Sequence, residues 1–84
     1  MRQDRLTLSD AFSQVVAMHR EEKGLSRAAL ARLASLHQTY IGLLERGERT
    51  PNLDTANAIA RALGKSLEEI ISEAGKLQKT SKRK

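Results

Sequence analysis

The chain has no cysteine and no tryptophan, and its 84 residues include one phenylalanine, one tyrosine and one proline. Without cysteine it has neither disulfides nor a thiolate zinc site, which is typical of a protein of the reducing cytoplasm. With so few aromatic residues, the core has to be built from Leu, Ile, Val and Ala, which suits packed helices better than a sheet. A chain of this length buries one modest core, so we expect one small domain.

Other absences narrow the function. No apolar run is long enough for a membrane span, and the N-terminus lacks the apolar core of a signal peptide, so we expect a cytoplasmic protein without membrane contact. No glycine-rich phosphate loop, catalytic carboxylate pair or activated nucleophile is present, which argues against an enzyme, and no cofactor is expected. His19 has no second histidine or cysteine nearby, so it is interpreted as a core residue rather than a metal ligand.

The positive charge is concentrated at one end of the chain. The formal net charge is +5, and residues 76–84 hold five basic residues and no acidic one, so the rest of the chain is neutral. We therefore divide the chain into a polar leader (1–7), a helical domain (8–75) and a basic tail (76–84). The tail is either a disordered, solvated end or an arm that binds phosphate.

The apolar pattern has helical spacing throughout and nowhere alternates with period two, so the prediction is an all-α domain of five helices. Caps and glycines set their bounds. The predicted helices run from about Leu8 to Lys23, from the Ser26 cap to Ala34, from His37 to Gly47, from the Asn52 cap to Gly64, and from the Ser66 cap to Gly75. The inward positions are Phe12, Val15, Val16 and His19, then Leu53, Ala56, Ile59, Ala60 and Leu63, then Leu67, Ile70, Ile71 and Ala74.

The second and third predicted helices meet at a tight turn. Leu30 and Ala34 share one face of the first of them, and Ile41 and Leu44 share one face of the next. The small side chain of Ala31 lies where the two would cross. Two short helices joined in this way form a helix-turn-helix, whose second helix can enter a DNA major groove. This pattern predicts a sequence-specific, double-stranded DNA-binding module.

Several polar residues surround this unit. Arg27, Arg46 and Arg49 are predicted to bind phosphates, and the helix caps and hydroxyls beside them can do the same. The neutral partners are Ser26, Thr50 and Asn52. Tyr40 either donates its hydroxyl to a phosphate or packs over the turn. Gly42 lies in mid-helix, where it permits a close approach to DNA or a tight helix crossing.

These features together resemble the phage-repressor and Cro-type helix-turn-helix family, also called xenobiotic-response-element-like regulators. The resemblance spans about residues 11–74. Small single-domain repressors and the controller proteins of restriction–modification systems are similar in length. Ser35 stands where the family often has glycine in the turn, and His37 stands where it usually has Ser or Thr. The matching segments are Arg20 to Ser26, Leu30-Ala31, Thr39 to Ile41, Leu44 to Gly47, Arg49 to Thr55, Ala62 to Gly64 and Ser66-Leu67.

The resemblance assigns further roles. It implies that Gln38, Thr39 and Leu43 face the bases, where Gln can bind adenine and Leu can contact a thymine methyl group. It implies a structural salt bridge between Arg20 and Glu45. It also implies a homodimer that binds a palindromic operator and pairs through the fifth helix. Ile71, Ala74 and Leu77 are the candidate apolar seam, although Ile71 alternatively belongs to the core.

A second function stays open, because some proteins of this fold are antitoxins or adaptors that bind a protein partner. Such a protein should expose a large apolar patch. Near the polar face, only Leu33 and Leu43 are predicted to point outward, which is a small patch. The sequence therefore favours the DNA-binding regulator over the adaptor.

Overall fold

The computed structural model describes residues 6–81 and contains five α-helices, with no strand in that range. This confirms the all-α, five-helix prediction. None of these helices is long and apolar enough to cross a membrane. The helices are α1 (Leu8–Glu22), α2 (Arg27–Ala34), α3 (Gln38–Glu45), α4 (Leu53–Ala62) and α5 (Leu67–Ser81).

Local side-chain caps explain where the helices begin. The hydroxyl of Ser26 accepts a hydrogen bond from the backbone N–H of Ala29 at 3.0 Å, and the side-chain Oδ1 of Asn52 accepts one from the backbone N–H of Thr55 at 2.8 Å. Ser66 and Glu69 form a reciprocal capping box, with bonds of 3.0 and 2.8 Å. Each cap satisfies backbone donors that a helix end leaves unpaired, so the chain specifies these boundaries locally.

The core is aliphatic and receives side chains from every helix. Leu30, Ile41, Ile59 and Ile70 are wholly buried, and Phe12 is the only buried aromatic side chain among residues 6–81. The most extensive packing joins α1 to α5, while α2 packs against both α3 and α4. The two long helices, α1 and α5, thus form a scaffold. Of the two shortest helices, α3 packs against α1 and α2 packs against α4.

A polar contact links the scaffold helices. The Nε2 atom of His19 lies 2.5 Å from Glu73 Oε1, and Nδ1 lies 3.4 Å from Glu22 Oε1. His19 is 8% exposed, so it is indeed a buried histidine with polar partners. The prediction of a core-facing His19 is therefore confirmed.

Two sequence predictions about helix faces and ends are wrong. Leu53 is 77% exposed, although its spacing places it on the inner face of α4. A helical side chain covers the turn before its own Cα, and the first residue of a helix has no such turn to cover. The fifth helix also does not end at Gly75 but continues to Ser81. Leu77 packs against the core, which offsets the roughly 1 kcal/mol that a mid-helix glycine costs.

The basic tail is therefore not separate from the domain along its whole length. Residues 76–81 extend α5, and residues 82–84 of the predicted tail lie outside the described residues, as does most of the leader. Ala74 is wholly buried in the core. It follows Ile70 by four residues and so faces the same way, which makes its assignment to a dimer surface wrong.

Candidate nucleic-acid interface

The turn between α2 and α3 is tight because Ser35 adopts a left-handed conformation, with φ +61° and ψ +42°. It is the only non-glycine residue with positive φ among the described residues. The backbone N–H of Leu36 donates to Ala31 O at 2.8 Å, which closes the end of α2. Ala31 is 2% exposed at this junction. A residue other than glycine thus holds the conformation that the two-helix unit requires.

A buried carboxylate fastens α3 to the rest of the domain. Glu45, the last residue of α3, accepts from Arg20 Nε at 2.7 Å and from Arg20 Nη2 at 3.1 Å. Arg20 Nη1 donates to the carbonyl of Leu25 at 2.8 Å, so the same guanidinium also holds the α1–α2 turn. The hydrogen bonds to Glu45 raise the pKa of Arg20 above its ordinary value, so this buried guanidinium stays charged. The structure thus contains the pair that the resemblance implied.

Arg27 joins this pair from α2. Its Nε donates to Glu45 Oε1 at 2.8 Å, while its side chain remains 51% exposed. The Glu45 side chain is only 4% exposed between the two arginines. The sequence prediction gave Arg27 a role toward phosphate but not this bond, because the two residues are 18 positions apart and lie on different helices.

The N-terminal half of α3 presents polar side chains. Gln38 and Thr39 are both exposed, and Leu43 is partly buried. His37 precedes the helix in extended conformation and makes no side-chain cap bond. The first backbone N–H groups of α3 therefore lack a side-chain cap and can donate to a water or to a phosphate oxygen.

Tyr40 connects α3 to the following loop. Its ring packs partly against the core, and the guanidinium carbon of Arg49 lies 6.0 Å from the ring centroid. This distance is at the outer limit of a cation–π contact, and it places the exposed Arg49 beside α3. The packing role foreseen for Tyr40 is present, and its hydroxyl group has no hydrogen-bond partner among the described residues.

Gly42 is buried under the side chain of Arg46, one turn later. A Cβ atom on Gly42 would lie 3.4 Å from Arg46 Nη1 and would meet nothing else within 4 Å. The alternative of a tight crossing against another helix is therefore wrong. Arg46 Nε also pairs with Glu48 Oε2 at 3.2 Å, and both side chains are more than half exposed. Such surface pairs are weak, so a phosphate can displace Glu48.

Two of the predicted arginines reach α3 from other elements. Arg27 reaches it from α2, and Arg49 reaches it from the α3–α4 loop. Thr50 and Asn52 are exposed at the start of α4, and Ser26 is exposed at the start of α2. The site thus combines the exposed polar end of one helix with arginines held against it. The described residues contain no His, Asp and Glu cluster that could hold a metal ion.

Comparison with known proteins decides the family. A model of the helix-turn-helix family matches residues 16–70, which is more than half of the chain. The chain belongs to the helix-turn-helix family. It is a DNA-binding transcriptional regulator rather than an enzyme.

Two relatives of this helix-turn-helix protein are control proteins. The chain is 33% identical over 70 residues to control protein C.SmaI of Serratia marcescens, and the match covers 83% of each chain. It is 38% identical over 61 residues to control protein C.BamHI of Bacillus amyloliquefaciens, with 71% of this chain and 75% of that protein covered.

Solved structures agree with this assignment. The restriction–modification controller protein C.AhdI of Aeromonas hydrophila superposes with a TM-score of 0.70 at 36% identity, covering 73% of this chain and 92% of that one. The clp gene regulator ClgR of Corynebacterium glutamicum has a TM-score of 0.83 at 24% identity and covers 88% and 79%. The second likeness supports the fold alone. The family matches the resemblance found in the sequence.

Proposed function

We propose that this helix-turn-helix regulator acts in the cytoplasm as a homodimer on a palindromic operator. Gln38, Thr39 and Leu43 contact base edges in the major groove. Arg27, Arg46 and Arg49 bind the flanking phosphates. Neutral contacts to the sugar–phosphate backbone of the DNA come from Ser26, Tyr40, Thr50 and Asn52. Gly42 has no side chain, so α3 can approach the DNA closely there.

One observation carries this proposal: α3 exposes Gln38 and Thr39, and arginines from two other elements are held against the same helix. The bond from Arg27 to Glu45 and the contact of Arg49 with Tyr40 fix this arrangement. Base-edge contacts need polar side chains at the start of a recognition helix, while phosphate contacts need cations on both sides of it. The helix-turn-helix relatives named control proteins support a regulatory role.

The dimer surface is proposed on the outer side of α5. Ile71 is partly buried and lines a shallow groove with Leu67, Glu68, Ser72 and Asn57 of α4. An apolar side chain in an open groove is better covered by a second copy than by water. Two such domains can present their α3 helices to half-sites about 34 Å apart.

The DNA-binding part is tested with an operator obtained by selection from randomised duplexes. Gln38→Ala should weaken binding by about 1–3 kcal/mol and relax the preference at one base position of each half-site. Arg49→Ala should weaken binding to all sequences alike and lower the salt slope by about 1 per protomer. Arg61→Ala, on the exposed side of α4, is the control. An unchanged base preference in Gln38→Ala would contradict the assignment of α3 as the reading helix.

The dimer is tested separately by Ile71→Glu, which would place two carboxylates opposite each other across the two-fold axis. Sedimentation should report a monomer, and circular dichroism should report the native helix content. A variant that stays dimeric would place the interface elsewhere. A variant that unfolds would show that Ile71 is a core residue.

A further inference from the structure

A carboxylate at a DNA-binding face is unfavourable unless something compensates it. Glu45 is fully compensated, because its two oxygens receive three hydrogen bonds from two guanidinium groups. Arg20 alone neutralises its charge and, at 10% side-chain exposure, is withdrawn from solvent. Glu21 also lies 3.6 Å from Arg20 Nη2, but its side chain is 72% exposed, so it pairs only weakly with Arg20. Arg27 is therefore not required to neutralise Glu45, and its positive charge stays available at the surface.

The bond to Glu45 occupies only one part of the Arg27 guanidinium. Nε donates to Glu45 Oε1, whereas Nη1 and Nη2 make no hydrogen bond to any residue between 6 and 81. A guanidinium is planar and rigid, so fixing Nε also fixes the direction of the two terminal nitrogens. With half of the side chain exposed, these nitrogens can bind a phosphate without breaking the bond to Glu45.

We infer that Glu45 is a positioning residue for DNA binding, which holds the Arg27 guanidinium ready for a backbone phosphate. This inference rests on the proposed DNA-binding function and adds a role to an acidic residue. A free arginine has many rotamers and loses them when it binds, but here that loss is incurred on folding. The bond between helices α2 and α3 also ties the phosphate contact to the recognition helix, so the register of Arg27 follows the position of α3.

Replacing Arg27 by lysine separates the effect of positioning the side chain from the effect of its positive charge. Arg27→Lys keeps the positive charge, but an ammonium group has no separate Nε and cannot bond to Glu45 while offering a fork of donors outward. We expect operator binding to weaken on the order of tenfold, with the salt slope retained. Arg27→Gln, which also removes the charge, should lower the salt slope by about 1 per protomer. Arg32→Lys is the control, because Arg32 is exposed on the same helix.

The free protein offers a test that involves no DNA. In nitrogen-15 relaxation measurements of arginine side chains, the Nε–H of Arg27 should be nearly as rigid as that of Arg20, while the Nε–H of Arg32 should be mobile. If the Nε–H of Arg27 is as mobile as that of Arg32, the positioning role is wrong even if the protein binds its operator. If it is rigid but the protein binds no DNA, the proposed function fails instead, and the role inferred for Glu45 falls with it.

Glu45→Gln gives the most specific result, since positioning and simple electrostatics predict opposite signs. Removing a negative charge should by itself strengthen DNA binding. Loss of positioning should outweigh this and weaken operator binding severalfold. In the Arg27→Lys background, where no positioning is left to lose, the same substitution should weaken binding no further and can only strengthen it through the lost charge. Stronger binding of the Glu45→Gln single variant than of the wild type, or an equal loss in both backgrounds, would overturn the inference. If Glu45→Gln does not fold, the Arg27→Lys affinity and the relaxation data decide, and an Arg27→Lys variant that binds like the wild type overturns it.

Discussion

The pair α1 and α5 differs from the pair α2 and α3 in how it is held. Each scaffold helix has 15 residues, and the two meet along an extensive aliphatic contact with the His19–Glu73 bond at its side. The helices α2 and α3 have eight residues each, too few to be stable alone. Their junction depends on one left-handed serine and on a carboxylate shared by two arginines.

This difference follows from what each pair has to do. Apolar burial is strong but has no preferred direction, so it holds a scaffold together without fixing orientation closely. The role proposed for α3 requires a defined orientation, because a shift of its side chains would change which base edges they meet. Hydrogen bonds from a planar guanidinium to a carboxylate are directional. The domain therefore uses aliphatic packing for stability and buried charge for geometry.

The largest effect is expected from Glu45→Ala, which leaves the buried guanidinium of Arg20 without its buried carboxylate and with only the exposed Glu21, 3.6 Å away. Loss of one partner of a buried ion pair costs about 3–5 kcal/mol, which is a large part of the stability of a small domain. Urea unfolding followed by circular dichroism measures it. The matched control is Glu48→Ala, whose pair with Arg46 is more than half exposed, and a nearly unchanged unfolding midpoint is expected there. Equal losses of unfolding free energy in the two variants would contradict the contrast between the buried and the exposed ion pair.

Truncation of the scaffold core should come next. Ile70 is wholly buried on α5, so Ile70→Ala should lower the free energy of unfolding by about 2–4 kcal/mol through lost burial and a cavity. The base preference of the folded protein should stay the same, because α5 does not shape the reading face. Leu33→Ala is the control, since Leu33 is 59% exposed. A changed base preference in Ile70→Ala would show that the scaffold is coupled to α2 and α3.

Gly42→Ala should act in opposite directions on stability and on DNA binding. Alanine favours a helix interior over glycine by up to about 1 kcal/mol, and the new Cβ meets only the flexible end of Arg46. The variant should therefore melt at a higher temperature while operator affinity falls, because Arg46 shifts and the helix surface rises. Gly75→Ala is the control, since its Cβ has open space, and it should only stabilise. Unchanged operator affinity in Gly42→Ala would remove the role of Gly42 at the interface.

The sequence predicts those features that depend on residues close together in the chain. Ser26, Asn52 and Ser66 mark helix starts within three residues of the groups they cap, so their roles follow from spacing alone. The prediction that Leu53 faces inward is wrong because Leu53 is the first residue of its helix. The prediction that α5 ends at Gly75 is wrong because Leu77 packs against the core and the helix continues. The hydrogen bond between Arg27 and Glu45 joins residues 18 positions apart, and the one between His19 and Glu73 joins residues 54 positions apart. No local pattern identifies such partners, although the family resemblance supplied Arg20 for Glu45.

The smallest effect concerns the capping box that starts α5. The backbone N–H of Ser66 donates to the Glu69 carboxylate and lowers the pKa of Glu69 below its ordinary value, with Lys65 acting in the same direction. Since the pKa is lower in the folded state, Glu69 contributes stability above the ordinary glutamate pKa, and this contribution disappears as the pH falls through the folded-state value. Glu69→Gln retains an acceptor for the N–H but does not titrate.

The wild type should therefore be slightly more stable than Glu69→Gln at neutral pH, and the difference in unfolding free energy should shrink toward zero in acid. Taking the difference between two otherwise identical chains cancels the titration of the other carboxylates. Thermal unfolding at a series of pH values measures it. A difference that does not change with pH would mean that the N–H of Ser66 stabilises the neutral and the ionised carboxyl group equally, and the start of α5 would then be held by the geometry of the hydrogen bond rather than by charge.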